Sequence, residues 1–268
     1  MCEDEVAHRL ATADLELVGR FADASNATLL VRLLDRDARS IEELADSLGR
    51  EPELDDLPAD GLAVYKPLRG ETPLWDFPDH TLHLREVAAY ELSRALGWDL
   101  VPVTVRRVDA PLGVGSLQRF VTHDLTEHYF TLLERAAPAV VEQLVEMVVF
   151  DLVANNADRK GGHVLLEHTG APDADDGRIR LIDHGVTFHA EPKLRTVGWH
   201  FAGQPLPERL RPDLARVAGE LHTGLGEVLG ALLSSRELDA LRERIEAAVE
   251  LDRLPDPVGP RPTPWPLL

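Results

Sequence analysis

Basic residues are scarce in this chain. It has 28 Lys and Arg against 47 Asp and Glu, which gives a formal net charge of −19. A surface that follows the phosphates of nucleic acid, or that binds an anionic membrane, needs clustered Lys and Arg, and the sequence contains no such cluster. We therefore expect neither nucleic acid nor a membrane as the main partner.

Cysteine and long apolar runs are also missing. The single cysteine, Cys2, excludes an internal disulfide and is typical of a reducing compartment. The N-terminal residues are acidic and lack the apolar segment of a signal peptide. No run approaches the roughly 18 apolar residues needed to cross a bilayer. These absences predict a soluble cytoplasmic protein without stable membrane association.

Lysine is the scarcest basic residue. Only three of the 28 basic residues are lysines, namely Lys66, Lys160 and Lys193. In a chain this rich in arginine, a remaining lysine is a candidate for a position that needs a compact ammonium group. Three lysines retained by chance would give the same count, so the count alone does not assign a function to these positions.

What the chain does contain predicts an α+β fold with two lobes. Its 268 residues are 44% hydrophobic, enough for one large or two small cores. We expect a strand-rich N-lobe over 1–121, a helical C-lobe over 122–253 and a proline-rich tail over 254–268. Hydrophobic patterning predicts strands at 14–20, 27–34, 61–68, 100–108, 113–121, 164–168 and 178–183, and helices at 39–48, at 82–96, up to Asn155, and between about 207 and 252.

Two polar residues of the first half are candidates for phosphate binding. Lys66 stands in a predicted strand, where most lysines are solvated, but it can also hold nucleotide phosphates as a point charge. Glu86 lies on the following helix, nearly opposite its apolar stripe, so it is either simply exposed or paired with Lys66. Glu91, on the flank of the stripe, is an alternative partner, and the residues alone leave this choice open.

Two aspartates of the second half are candidates for the chemistry of transfer. Asp158 follows a buried helix in the loop ADRKGGH, where it is either a turn residue or the group that accepts a hydroxyl proton. Asp183 ends the next strand pair, in a position typical of a turn or of an Mg²⁺ ligand. The order lysine, glutamate, aspartate, aspartate is that of kinase-type phosphoryl transfer.

Several segments resemble the atypical kinases related to phosphatidylinositol 3-/4-kinases, which include the secreted Golgi kinases and the HipA-type toxin kinases. They are VYKP, REVAAYELSRALGW, SLQRFV, NNADRKGGHVLL and LIDHG. The set is more narrowly similar to a group of actinobacterial proteins described as phosphatidylinositol-kinase-like. The resemblance covers roughly 16–190 and implies a two-lobed, atypical protein-kinase-like fold that binds ATP and Mg²⁺ or Mn²⁺ in the cleft between its lobes.

The resemblance also implies a role for individual residues. Lys66 would bind ATP with Glu86 as its helix partner, Asp158 would be catalytic, and Asp183 would bind the metal. A hinge that meets adenine would comprise Gln118, Arg119, Phe120 and Val121, and the loop over the phosphates would include Ser25 and Asn26.

Departures from the kinase pattern keep other interpretations open. The phosphate loop lacks multiple glycines, the metal motif is Asp-His-Gly, and His163 stands where kinases usually have a second, oxygen-bearing metal ligand. A nucleotide-binding pseudokinase and an AMP-transferring enzyme are therefore alternatives. A remote alternative is a metallohydrolase using His163, His168, His184 and His189. For a kinase, we expect a soluble acceptor, either a small hydroxylated molecule or a protein Ser or Thr.

Overall fold

The computed structural model describes residues 2–21, 26–34, 40–50, 52–53, 56–168 and 177–268. The chain forms two compact units. The first comprises Met1–Val87 and Pro102–Thr122, and the second comprises Ala88–Val101 and His123–Leu268. Among the described residues, no helix combines the length and apolar character that crossing a bilayer requires.

The first unit is built on an antiparallel sheet of five strands in the order β1-β2-β3-β5-β4. The strands are β1 (Asp14–Arg20), β2 (Leu29–Leu34), β3 (Leu62–Pro67), β4 (Thr104–Ala110) and β5 (Gly113–Arg119). The helices of this unit are α1 (Glu3–Thr12), α2 (Ile41–Leu48) and the beginning of α3 (Leu82–Leu96). All five predicted strands of the first half are present, and so are both predicted helices.

One strand begins later than its sequence predicts. The expected strand over 100–108 is observed as β4, which starts at Thr104. The backbone N–H groups of Leu100 and Val101 donate instead to Oγ of Ser93, at 3.0 and 3.1 Å. Pro102 then has no N–H to contribute to a ladder. These residues therefore terminate α3 rather than extend the sheet.

The N-terminal helix α1 has no counterpart in the sequence prediction. Its Leu10 is fully buried, and the Leu10 carbonyl accepts a hydrogen bond from Nη1 of Arg107 on β4 at 2.9 Å. Its acidic first turn, Glu3 to Glu5, favours a helix N-terminus electrostatically. This acidic turn is the one sequence signal for α1, because a helix of this length shows less than three turns of apolar periodicity.

Strand β3 is held firmly at the centre of the sheet. Tyr65 is completely buried, and its hydroxyl donates to the Gly113 carbonyl at 2.6 Å. On the neighbouring strand, a side chain at Gly115 would come within 2.6 Å of the Tyr65 ring. Only glycine allows the two strands to pack this closely. The close packing of β3 against β5 therefore fixes the backbone that carries Lys66.

The second unit is mainly helical, and its longest helix is largely buried. Its elements are the rest of α3, α4 (Tyr129–Arg135), α5 (Pro138–Ala154), β6 (Val164–His168), β7 (Gly177–Leu181), α6 (Arg211–Glu220), α7 (Gly224–Gly230) and α8 (Ser235–Val249). Helix α5 begins with a proline and ends at Asn155, which is left-handed with φ 52°. Its predicted burial is confirmed, whereas the short α4 was not predicted.

The proline-rich tail runs along the second unit. Leu254 is buried, and its N–H donates to the Gln204 carbonyl at 2.9 Å. Further on, the Pro262 carbonyl accepts from the N–H of Thr196 at 3.1 Å, and the Leu267 carbonyl accepts from Gly161 at 2.7 Å. The tail thus packs beside the loop that carries Asp158.

Candidate active site

In the first unit, Lys66 and Glu86 form an ion pair. Lys66 lies on β3 opposite Ser116 of β5, and its ammonium contacts Oε1 of Glu86 on α3. The Glu86 side chain is only 4% exposed and that of Lys66 is 21% exposed. A carboxylate this deeply buried is costly unless it is paired. The structure therefore pairs Lys66 with Glu86, the choice that the residues alone left open against Glu91.

The start of α3, which carries Glu86, is fixed by two contacts of its own. Oε1 of Glu71 accepts a hydrogen bond from the N–H of His83 at 2.8 Å and lies 2.7 Å from Nδ1 of the same residue. The Arg85 guanidinium stacks over the Phe77 ring at 4.9 Å. Such contacts at a helix N-terminus hold its first turn, and so they orient the carboxylate that meets Lys66.

The predicted phosphate loop is only partly described. Ser25 lies outside the described residues. The side-chain oxygen of Asn26 accepts a hydrogen bond from the N–H of Thr72 at 2.7 Å, and the N–H of Ala27 donates to the Gly70 carbonyl at 3.1 Å. The loop end therefore joins the segment that follows β3. A phosphate-binding role for Ser25 and Asn26 stays a prediction.

The predicted hinge coincides with the end of β5 and the passage to the second unit. Gln118 is buried, and its Nε2 donates to Oγ1 of Thr104 at 2.8 Å. The N–H of Phe120 donates to the Leu62 carbonyl at 3.1 Å, and Val121 is buried. Because the Gln118 amide is engaged inside the sheet, recognition of adenine here would fall to backbone groups rather than to that side chain.

In the second unit, Asp158 follows α5 on a tightly held loop. Its N–H donates to Oδ1 of Asn156 at 2.9 Å, and its carboxylate, 35% exposed, lies 3.3 Å from the Lys160 ammonium. Burial raises the pKa of the Asp158 carboxyl, and the like charge of Asp183 raises it further, while Lys160 and Arg195 lower it. A carboxylate with a raised pKa is better suited to accept a proton than an ordinary surface aspartate.

Asp183 and His163 lie together near this loop. The Asp183 carboxylate is 51% exposed and lies 3.4 Å from Nε2 of His163. Asp183 has a left-handed backbone with φ 60°, a conformation that aspartate tolerates better than most residues. The N–H of Ile182 donates to the His163 carbonyl at 3.1 Å, which ties the two segments together.

These donors fit a divalent cation bound jointly with a phosphate. The described residues contain no group of three or more His, Cys, Asp or Glu side chains arranged to hold a metal alone. Mg²⁺ is commonly bound by one or two carboxylates, with substrate phosphates and water completing its coordination. The carboxylate of Asp183 satisfies that requirement, whereas an imidazole such as that of His163 is a poorer ligand for Mg²⁺ than for Mn²⁺.

A buried polar network lies beneath both aspartates, and the sequence analysis missed it. Asp151 and Arg159 are completely buried, and Nε of Arg159 donates to Oδ1 of Asp151 at 3.0 Å. Nη1 of Arg159 donates to the Ile182 carbonyl at 2.8 Å, and its Nη2 lies 2.7 Å from Nε2 of His184. Oγ1 of Thr196 donates to Oδ2 of Asp151 at 3.0 Å. Arg159 thus bonds to residues on both sides of the chain segment that carries Asp183.

The four histidines of the metallohydrolase alternative are engaged separately. His184 contacts Arg159, His168 lies 2.8 Å from a Glu127 oxygen, and Nδ1 of His189 accepts from the N–H of Glu191 at 2.9 Å. His163 alone lies beside Asp183. Within the described part of the chain, these residues form no metal cluster. Among the described residues, the structure therefore does not bring these four histidines together as one ligand set.

One curated protein aligns with nearly the whole chain. No family model matches. Over 288 residues, however, the chain is 37% identical to protein Rv2133c of Mycobacterium tuberculosis, and the alignment covers 96% of this chain and 93% of that protein. The chain therefore belongs to the Rv2133c family.

Solved structures show which fold this member of the family has. It is similar to hydra Fam20 with sugar (TM-score 0.57, 14% identity, 92% of this chain and 88% of that one). It is also similar to the Golgi casein kinase with Mn/ADP bound (0.55, 14%, 92% and 74%). A third is the Helicobacter pylori proinflammatory kinase CtkA (0.51, 12%, 89% and 92%). The expected α+β, atypical protein-kinase-like fold is thereby confirmed.

Proposed function

We propose that this protein is a kinase-type phosphotransferase that uses ATP and Mg²⁺ or Mn²⁺ to phosphorylate a hydroxyl group. The observation that carries the proposal is the ion pair between Lys66 on β3 and the buried carboxylate of Glu86 on α3. In protein kinases, a strand lysine paired with a helix glutamate binds nucleotide phosphates. A surface ion pair contributes little to stability. Stability alone therefore does not account for a buried glutamate that pairs with a partly exposed lysine.

In this proposal each polar group has one task. Lys66 binds the α- and β-phosphates, and Glu86 orients its ammonium. The carboxylate of Asp158 accepts the proton of the acceptor hydroxyl as the new oxygen–phosphorus bond forms and the bond between the γ-phosphorus and ADP breaks. Its raised pKa is consistent with that task. Lys160, 3.3 Å from Asp158, can neutralise charge on the transferred phosphoryl group.

A divalent cation would be held by Asp183, with His163 beside it. When bound, such a cation neutralises charge on the β- and γ-phosphates. The network of Asp151, Arg159 and Thr196 keeps the loops of both aspartates at fixed positions. This matters because phosphoryl transfer depends almost entirely on positioning and on charge stabilisation.

The comparisons support the nucleotide part of the proposal. The Golgi casein kinase was solved with manganese and ADP, and this chain shares its fold. The segments that resemble phosphatidylinositol-kinase-like proteins include all four of the principal candidate residues. With a net charge of −19, we infer that the acceptor is a soluble molecule rather than a lipid in an anionic membrane.

The environment of His163 favours a second candidate. An imidazole 3.4 Å from Asp183 replaces the oxygen ligand that a second Mg²⁺ would need. A protein of this kind can bind nucleotide without transferring phosphate, as a pseudokinase, or can transfer AMP instead.

Nucleotide binding and product analysis separate these functions. A thermal-shift screen with ATP, ADP and GTP, each with Mg²⁺ or Mn²⁺, detects binding because a ligand of the native state stabilises it. Mass spectrometry after incubation with ATP then identifies ADP for a kinase, pyrophosphate for an AMP-transferring enzyme, and unchanged ATP for a pseudokinase. Absence of any stabilisation by nucleotide would contradict all three.

A further inference from the structure

The segment around Arg195 lies alongside the loop of Asp158. Arg159 and Thr196 form a parallel bridge. The N–H of Arg159 donates to the Arg195 carbonyl at 3.0 Å, and the N–H of Val197 donates to the Arg159 carbonyl at 3.1 Å. One step earlier, the N–H of Arg195 donates to the Asn156 carbonyl at 2.8 Å. The backbone of Arg195 is therefore fixed on both sides next to the candidate catalytic loop.

The bridge decides which way the neighbouring side chains point. Arg159 and Thr196 are both completely buried, and both side chains bond to Asp151. Successive residues of extended backbone face opposite sides. Asp158 and Arg195 each precede one member of the bridged pair, so they share the opposite, solvent-facing side. Accordingly, Asp158 is half-exposed and Arg195 is exposed, whereas both members of the bridged pair are buried.

Arg195 adds a cation where the chain otherwise concentrates negative charge. Asp158 and Asp183 carry two negative charges, and the Lys160 ammonium, at 3.3 Å, already pairs with Asp158. Arg195 is exposed, and its charge lowers the pKa of the Asp158 carboxyl. An exposed guanidinium matches the geometry of a phosphate or carboxylate group and binds it with two parallel hydrogen bonds.

We propose that Arg195 binds an anionic group of the acceptor, so that the substrate is a small soluble molecule with a phosphate or carboxylate group close to its reactive hydroxyl. This inference rests on the proposed function, because it assigns the acceptor hydroxyl to Asp158. On that assignment, an anion held by Arg195 brings the hydroxyl to the carboxylate that deprotonates it. The local cations also offset the repulsion that a chain of this net charge would exert on an anionic substrate.

Calorimetry with matched neutral and anionic probes tests this inference. The first titration adds the non-hydrolysable analogue AMP-PNP and Mn²⁺ to the protein. The second adds glycerol or glycerol 3-phosphate, once in the presence of that nucleotide and once in its absence. We expect glycerol 3-phosphate to bind at least tenfold more tightly than glycerol. R195A should lose most of that difference, and R195K should retain part of it. The matched control is R178A, which removes another exposed arginine of the second unit, on β7.

The outcomes distinguish this inference from the proposed function. Equal affinity for the two probes, or unchanged binding of glycerol 3-phosphate by R195A, would overturn the role of Arg195. Weaker binding of AMP-PNP by R195A, with unchanged binding of glycerol 3-phosphate, would assign Arg195 to the nucleotide instead. Binding to phosphatidylglycerol vesicles without binding of glycerol 3-phosphate would overturn the soluble acceptor. Failure to bind AMP-PNP would count against the proposed function, while an anion site that depends on Arg195 would still show in the second titration.

Discussion

The two units hold their candidate functional groups in different ways. In the first, one ion pair joins two regular elements, since Lys66 extends from a strand and Glu86 from a helix. In the second, Asp158 and Asp183 stand on loops, at 35% and 51% exposure, above a network in which Asp151 and Arg159 are completely buried. Regular backbone is sufficient to orient the pair of Lys66 and Glu86, whereas the loop carboxylates depend on a buried scaffold.

The largest expected effect concerns the carboxylate itself. D158N preserves the shape of the side chain but removes the proton acceptor, so transfer should fall by about 10³-fold, within the range of general base catalysis. ATP affinity should stay within a few-fold of wild type, as measured by calorimetry. D252N, which alters a fully exposed aspartate of the second unit, is the matched control. If D158N retained full transfer, Asp158 would have no part in the chemistry.

The buried scaffold provides the second test. D151A leaves the Arg159 guanidinium buried without its carboxylate, and breaking a buried pair costs about 3–5 kcal/mol of unfolding free energy. Denaturant unfolding measures this loss. The double variant D151L/R159M replaces the pair with apolar side chains of similar size, which is often neutral or stabilising.

The double variant also separates stability from positioning. We expect it to recover most of the unfolding free energy while transfer remains low, because the hydrogen bond from Nη1 of Arg159 to the Ile182 carbonyl is lost. Recovery of both stability and transfer would show that the network serves folding alone.

A smaller effect is expected in the first unit. K66M removes the ammonium, and ATP affinity should fall about tenfold to a hundredfold, as for the loss of a hydrogen bond to a charged group. K66R restores the charge but not the compact shape, so it should recover only part of the affinity. Calorimetry with AMP-PNP measures both variants. Full recovery in K66R would contradict the requirement for a point charge.

Differences between the units also explain which features the sequence could predict. The strand of Lys66 and the helix of Glu86 follow from hydrophobic periodicity, and their observed bounds, Leu62–Pro67 and Leu82–Leu96, agree with it. The partner of Lys66 did not follow, because the helical position of Glu86 fitted exposure as well as pairing. Its burial arises from tertiary packing that periodicity does not encode.

The buried polar network of the second unit could not be predicted from the sequence, for a different reason. Asp151 stands within the apolar run VVFDLVA, so an unexplained charge in a buried helix was visible. Its partners Arg159 and Thr196 lie 8 and 45 positions away, and no local pattern links residues across such separations. A charged residue that interrupts a buried helix was the one available signal, and it indicated a partner without identifying it.

The smallest expected effect is at the proposed metal site. H163N replaces an imidazole beside Asp183 with an oxygen-bearing side chain. Because Mg²⁺ prefers oxygen ligands, the preference for Mg²⁺ over Mn²⁺ in nucleotide binding should rise by about threefold. Titrations of AMP-PNP with each metal measure the change. An unaltered preference would show that His163 packs against Asp183 without contacting the metal.

We propose above all that nucleotide binding requires both Lys66, in the first unit, and Asp183, in the second. Calorimetric titration of AMP-PNP and Mn²⁺ into wild type, K66M and D183N tests it most directly. We expect one bound nucleotide for wild type, at least tenfold weaker binding for each variant, and loss of the Mn²⁺ dependence in D183N only. Nucleotide binding that one of the two substitutions leaves unchanged, or no nucleotide binding by the wild type, would contradict this proposal.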